Sequence, residues 1–326
     1  MKEKWNQIKS SKASFCFLSI LILVVISSVL SPDFRTLDNF ATIIRQSSTL
    51  IVLSTGLTAV LLTGGIDLSV GTTAAFAGCL CAQFLKMGVP SALIFPIGLA
   101  VGLVIGLLNG FLVAVIKLPP FIATYATNWV LKGLAIIVMS GAVIYDLPAG
   151  FTVFGVGYIG KVPIIVIFAV VIVAVVYFFL QKTTLGRDIY AYGSNAEAAR
   201  YSAVNTNRSV YMAFALCSMT AAVGGLLMTA RLNAAEAAMG ETYGLQTVAA
   251  VVIGGTSMLG GEGGVIGTVF GGILLTIIVN IMNLLGTSSS AQPMVVGGVI
   301  LLMVLMDTFT QSRGEKFKKH AVAKTQ

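Results

Sequence analysis

Apolar residues run along the chain in ten stretches, each closed by a short polar or glycine-rich segment: 13–30, 49–63, 72–86, 91–116, 121–140, 162–180, 209–229, 244–259, 264–285 and 294–306. A helix needs roughly 20 such residues to cross a bilayer core. The pattern therefore predicts an all-α, polytopic membrane protein with about ten transmembrane helices. Residues 1–12 form a basic arm with Lys2, Lys4, Lys9 and Lys12; 13–312 form one membrane domain, and 313–326 a basic tail. The first stretch is long for a signal peptide and has no A-x-A-like exit, which predicts an uncleaved anchor. Residues 31–46, containing SPDFRTLDNF, predict a polar connection with a surface helix.

One polar interruption stands out. Residues 64–71, GGIDLSVG, place an acid and two glycines between the second and third apolar stretches. Glycine relaxes a helix, and Asp67 can cap a new one by accepting from the amide of Ser69 or Val70. Discontinuous helices are tolerated at depth only beside protein or a watery cavity, and in transporters they mark the substrate path. A turn between two spans on the cytoplasmic side accounts for the same residues, and spacing leaves both open.

Gly98, Gly102, Gly106 and Gly110 recur every four residues, a stripe that lets a neighbouring helix approach closely. Pro119 and Pro120 mark the start of the fifth span, and 141–161 reads as a glycine-rich loop. Within that loop GVGYIGKV (155–162) matches G-x-G-x-x-G and most of a P-loop. A P-loop needs Ser or Thr after its lysine and a strand before it. Val162 stands there instead, and no strand precedes it, so no ATP hydrolysis is expected of this chain.

Composition sharpens the class. Apolar residues are 57% and charged residues 10%, against about 25% charged in soluble domains; mean hydropathy is +0.96. The net charge of +8 sits at span ends and does not indicate nucleic-acid binding. With the N-terminus cytoplasmic, the inside segments hold the four lysines of the arm, Lys117, Lys182, Arg187, Arg200, Arg208 and five tail residues (Arg313, Lys316, Lys318, Lys319, Lys324), 14 of the 20 basic residues. That bias predicts both termini inside. Cys16, Cys79, Cys81 and Cys217 all lie in apolar runs and read as small buried hydrophobes, with no metal-site spacing.

Residues 181–208 are the longest polar stretch inside the chain. Ser194 and Glu197 match a capping box, and Ala196, Glu197, Ala198, Ala199 and Arg200 favour helix. Asn205 offers a left-handed stop. The expected product is a short, small-sided cytoplasmic helix suited to a cleft in another protein. With Tyr201 its one large apolar residue, it is poorly equipped to rest on lipid.

GGIDLSVG (64–71), LGRDIYAYGSNAEAARYSAVNTNR (185–208) and AAVVIGGTSMLGGEGGVIGTVFGG (249–272) occur in this order. Together they resemble the permease subunit of ribose-type sugar ABC importers, in the branched-chain amino acid/ribose/galactoside permease family, over essentially the whole membrane domain. The resemblance implies a homodimer of permease copies in the bacterial cytoplasmic (plasma) membrane. It implies a cytoplasmic ABC ATPase holding the ATP and Mg, with no cofactor in this chain, and an extracytoplasmic sugar-binding protein. Residues 193–205 match the helix that couples to the ATPase, which gives Gly193, Ser194, Asn195, Glu197, Ala198, Ala199 and Arg200 that expected role. Ala203 and Val204 depart conservatively from Gly and Ile; Gln246 stands where an acid is common and Glu262 where a basic residue is.

An uncharged sugar calls for hydrogen-bonding groups and aromatic faces along its path. The candidates are Asp67, Ser69, Thr124, Tyr125, Thr127, Asn128, Asn280 and Asn283. Asn280 and Asn283 share a helical face, and each of these residues also suits an interhelical hydrogen bond. Lys132 and Arg231 are expected near the outer surface, snorkelling or meeting acids of the binding protein. A nucleoside or signalling sugar fits as cargo. An ion-coupled transporter usually needs more acids or histidines within its spans, and a membrane enzyme needs a nucleophile–base pair, metal cluster or carboxylate dyad. No such catalytic group appears in the sequence.

Overall fold

A computed structural model describes residues 12–288, 290–302 and 305. The tail and the arm before Lys12 lie outside the described residues. The helices are α1 (Lys12–Leu30), α2 (Leu37–Leu62), α3 (Val70–Lys86), α4 (Ser91–Ala114), α5 (Pro120–Val138), α6 (Ala149–Val156), α7 (Ile164–Lys182), α8 (Thr184–Ser194), α9 (Ala196–Tyr201), α10 (Thr206–Leu232), α11 (Tyr243–Ile253) and α12 (Val265–Leu284). A further apolar helix, α13, covers Ala291–Leu302. Two small antiparallel pairings join β1 (Ile144–Tyr145) to β4 (Ala234–Ala235), and β2 (Tyr158–Ile159) to β3 (Val162–Pro163). Among the described residues six helices, α2, α4, α5, α7, α10 and α12, are long and apolar enough to cross a membrane.

Local chemistry sets the helix starts. Prolines at 90, 119, 148 and 163 stand just before α4, α5, α6 and α7 with φ of −57°, −53°, −55° and −60°. Their rings fix that angle in advance and remove a donor that a helix start leaves unpaired anyway. Side-chain caps open others. The hydroxyls of Thr36 and Thr183 accept from the amides of Asn39 and Gly186, opening α2 and α8.

The bundle is built around α2 and α10. Their apolar spans are 83% and 78% buried, against 28%, 28% and 22% for α4, α5 and α7, so α2 and α10 form the core and the other three face outward. The four-residue glycine stripe works as its spacing predicts. Gly102 lies against Ser218 and Ala222 of α10, Gly106 against Phe214 and Ala215, and Gly110 against Tyr211. Removing side chains there lets two backbones meet, which replaces the hydrophobic drive that is missing between helices in lipid.

Two ends of the bundle can be told apart by contacts. At one lie α8 and α9, the end of α2, and Cys16 of α1, whose thiol donates to the Ile253 carbonyl at 2.8 Å. At the other, Lys86 at the end of α3 donates to the Asp146 carbonyl at 3.0 Å. Arg45 of α2 bonds Tyr158 of the β2–β3 hairpin at that same end.

Several expectations from the sequence change here. The connection 31–46 has no separate surface helix; after one 3-10 turn (Pro32–Arg35) it is the opening of α2 itself. The loop 141–161 contains α6, whose Phe151 is fully buried and whose Phe154 packs edge-on against Phe95 and Phe168. The GVGYIGKV segment is the end of α6 and a hairpin, with Gly155 seated on the Arg231 backbone. The eighth stretch is helical only over α11, 11 residues or roughly 16 Å, about half a bilayer core. The preceding segment dips inward, with Met239 against Gly78 and Gly240 against Gly71, so α11 begins inside the bundle.

Gly106→Val should place two methyls in the α10 backbone and destabilise by about 1–3 kcal/mol, lowering the thermal unfolding midpoint in detergent. Gly133→Ala, on α5 with nothing within 4 Å of a new Cβ, should leave it unchanged or raise it.

Candidate translocation and coupling site

Beyond Leu62 the chain does not continue straight. Residues 63–69 turn back into the bundle until Asp67 lies beside the Cys217 thiol, near the middle of α10. From there α3 runs to the opposite end. The interruption is thus a turn between two helices that reverse direction, and its acid is drawn wholly inside.

The acid anchors a polar cluster. Asp67 Oδ1 accepts from the Ser69 amide at 2.8 Å and the Ser69 hydroxyl at 2.6 Å; the N-cap of α3 is Ser69 and not Asp67, which closes the turn just before it. Asn109 of α4 donates to the Ser69 hydroxyl at 3.0 Å and accepts from Thr127 of α5 at 2.7 Å. Thr124 accepts from the Leu68 amide at 3.2 Å, while its own proton is shared between the Pro120 and Ile66 carbonyls at 2.9 and 3.2 Å. The Thr72 hydroxyl contacts the Ser69 carbonyl at 3.0 Å and Asn128 Oδ1 at 3.1 Å. The turn is thereby tied to α4 and α5. Asp67 Oδ2 is buried without a hydrogen-bond partner.

Asp67, Ser69, Thr124, Thr127 and Asn128 are brought together; the other candidates are not. Tyr125 is exposed, stacked on Phe121 and edge-on to Trp129. Asn280 exchanges two hydrogen bonds with Asn39 of α2, at 3.2 and 2.7 Å. Asn283 accepts from Gln292 at 2.6 Å. Lys132 already meets an acid of this chain, Glu241, at 3.1 Å. Asn109, fully buried, is the member that sequence reasoning passed over. It sits beside the glycine stripe, where packing explained the pattern; the usable signal was one amide in an otherwise apolar run.

The second feature lies at the α9 end. The short helix forms, but its cap is Asn195, which accepts from the Ala198 amide at 2.9 Å. Ser194 instead closes α8, donating to the Tyr190 carbonyl at 2.9 Å, so the expected capping box is not made. A single residue separates the two helices, and only Asn195 has the extended backbone (φ −164°) that a cap requires. The left-handed residue is Ala203 (φ 62°), and Asn205 caps α10 by accepting from Arg208 at 3.0 Å. Asn195, Glu197, Ala198 and Arg200 are exposed, Ala199 is buried, and Tyr201 is 84% exposed.

Behind α9 three segments meet. The Gly261 amide donates to the Leu62 carbonyl at 2.9 Å, joining the turn between α11 and α12 to the end of α2. Gly193 fills the remaining space; a Cβ there would overlap the Leu62 oxygen. Tyr190 of α8 donates to the Gly263 carbonyl at 3.0 Å and accepts from Gln181 at 3.0 Å. Burial raises the Tyr190 phenol above its ordinary range, with the Gln181 bond partly opposing, so its proton stays in the bond to the Gly263 carbonyl through neutral pH. Thus α8 grips both interhelical turns while carrying α9 on its end. Among the described residues no three of His, Cys, Asp and Glu gather as a metal site would need.

The family described as "Branched-chain amino acid transport system / permease component" matches residues 39–305. The chain belongs to this permease family. It is 36% identical over 297 residues to the ribose import permease protein RbsC of Haemophilus influenzae, covering 90% of this chain and 92% of that one. The RbsC of Bacillus subtilis is 40% identical over 293 residues, 89% and 91% of the two chains. The D-allose transport system permease protein AlsC of Escherichia coli is 34% identical over 293 residues, 89% and 90%. No solved structure matches the permease.

Asn109→Ala would leave the Ser69 and Thr127 hydroxyls short of a partner inside the bundle. The expected loss is about 1–3 kcal/mol, seen as a lower unfolding midpoint in detergent, with Asn109→Gln recovering part of it.

Proposed function

We propose that this chain is the membrane-spanning subunit of an ATP-driven importer that carries a monosaccharide, ribose-like pentose or hexose, into the cytoplasm. The observation that carries the reading is α9, a capped and exposed helix held on a strut, α8, that touches both interhelical turns. A partner gripping α9 would move α8, and α8 cannot shift without displacing the Leu62 and Gly263 carbonyls. The relatives named as ribose import and D-allose transport permeases support a sugar as cargo.

In this reading the chain is a transport subunit and not an enzyme; ATP and Mg bind a separate cytoplasmic ABC ATPase. An extracytoplasmic sugar-binding protein delivers the cargo, and two permease copies pair as a homodimer in the bacterial cytoplasmic membrane. Ten membrane-embedded helices, α1 to α5, α7 and α10 to α13, run with both termini and α9 inside. Gly193, Ser194, Asn195, Glu197, Ala198, Ala199 and Arg200 form the ATPase-facing segment, Gly193 from behind. The Asp67 cluster with Ser69, Thr124 and Asn128 holds the inner end of the path. It acts as a latch that opens in alternating access.

Purified with its neighbouring ATPase and binding protein, the permease should show sugar-stimulated ATP hydrolysis and uptake that survives collapse of the proton gradient. Loss of uptake with the gradient would point to ion coupling through Asp67. Deleting residues 195–204 should leave the permease in the membrane and abolish ATPase association in pull-down. Tyr190→Phe should keep that association but lower sugar-stimulated hydrolysis severalfold; retained association in the deletion would rule out α9 as the docking element.

A further inference from the structure

A cavity separate from the Asp67 cluster opens where α11 begins. Its volume is about 170 Å³, the share of roughly five or six waters in the liquid. Gln46 of α2, Tyr243 and Gln246 of α11, Thr276 and Asn283 of α12, and Gln292 of α13 line it, and none of the lining side chains is charged. Among the described residues the side chains of Gln46 and Gln246, both half-buried, form no hydrogen bond with the rest of the chain. The cavity therefore holds amide groups whose donors and acceptors are uncommitted.

We propose that this cavity is a binding site, in the permease itself, for one neutral polyhydroxy solute of monosaccharide size. An ion entering it would lose hydration with no countercharge to replace it, which is costly. A sugar hydroxyl both donates and accepts, and so does each amide; Gln46, Gln246, Asn283 and Gln292 supply four. The Gln292 to Asn283 bond at 2.6 Å is one that a bound hydroxyl can replace. Tyr243 adds a ring face for the C–H side of a pyranose or furanose. The volume suits a single sugar ring.

Position gives the site a consequence. One end of α11 forms the cavity floor, and the other leads into the turn that bonds Leu62 through Gly261 and rests on Ser194. A rod of 11 residues thus has the solute at one end and the α8–α9 strut at the other. The inference rests on the importer reading and extends it: the permease, and not only a separate binding protein, discriminates the cargo.

The test uses the full permease in nanodiscs. The native cysteines Cys16, Cys79, Cys81 and Cys217 are all buried, so Asn283→Cys offers one accessible thiol for a small thiosulfonate reagent. D-ribose or D-galactose should slow its labelling at least severalfold, and sucrose should not. In the complex with ATPase and binding protein, Gln246→Leu should raise the uptake KM roughly tenfold at unchanged kcat, the loss of about one to two hydrogen bonds, and Gln246→Asn should recover part. Labelling indifferent to every monosaccharide, together with a wild-type KM in Gln246→Leu, would overturn the site while wild-type uptake still upheld the importer. Absence of ATP-driven monosaccharide uptake by the wild-type complex would instead overturn the importer reading and the site with it.

Discussion

The carbonyl oxygen of Leu62 accepts from Gly261 and lies against Gly193, so one backbone atom at the end of α2 binds three segments far apart in the chain. Helix ends leave such carbonyls without intrahelical partners, and Leu62 is fully buried, so its carbonyl must find its partner in the protein. Here the deficit is met by another turn, and the geometry admits no side chain at position 193. The two interhelical turns and the α8 strut consequently hold one arrangement together, or change it together. That shared constraint is what the proposed coupling through α9 rests on.

The Asp67 cluster follows the same logic with side chains. Each hydrogen bond between helices in a membrane contributes modestly, about 0.6 kcal/mol on average. An unpaired polar group costs more than a made bond gains, so the cluster holds its geometry chiefly because leaving it is expensive. Asp67, Ser69, Asn109 and Thr127 form one unbroken chain of donors and acceptors from the turn through α4 to α5. A chain of this kind has few compatible arrangements.

Between these polar points the bundle depends on close backbone approach. α10 is buried over most of its length by α2, α3 and α4, and α4 comes close by presenting glycine to it every four residues. Outward-facing α5 and α7 keep large apolar side chains such as Ile122, Val130, Val170 and Phe178 exposed, as a surface solvated by lipid requires. The proline before each of α4, α5, α6 and α7 sets where a helix starts without any tertiary help.

Alone, the sequence determined the helical membrane class, the approximate limits of most of the long helices, the glycine seam on α4 and a small exposed helix after residue 194. Each of these follows from a local period, a fixed proline angle or a bulk hydrophobicity. Only the tertiary structure decided that Asn195 and not Ser194 caps α9, because the cap belongs to whichever residue the preceding helix leaves extended. It alone showed that α11 is a half-length helix, since the apolar run before and after it is equally compatible with a full span. And it alone selected Asn109 for the buried cluster while sending Asn280 to Asn39 and Tyr125 outward. A polar residue in an apolar helix announces that it needs a partner; which partner depends on rotation and depth of packed helices, and no one-dimensional pattern contains either.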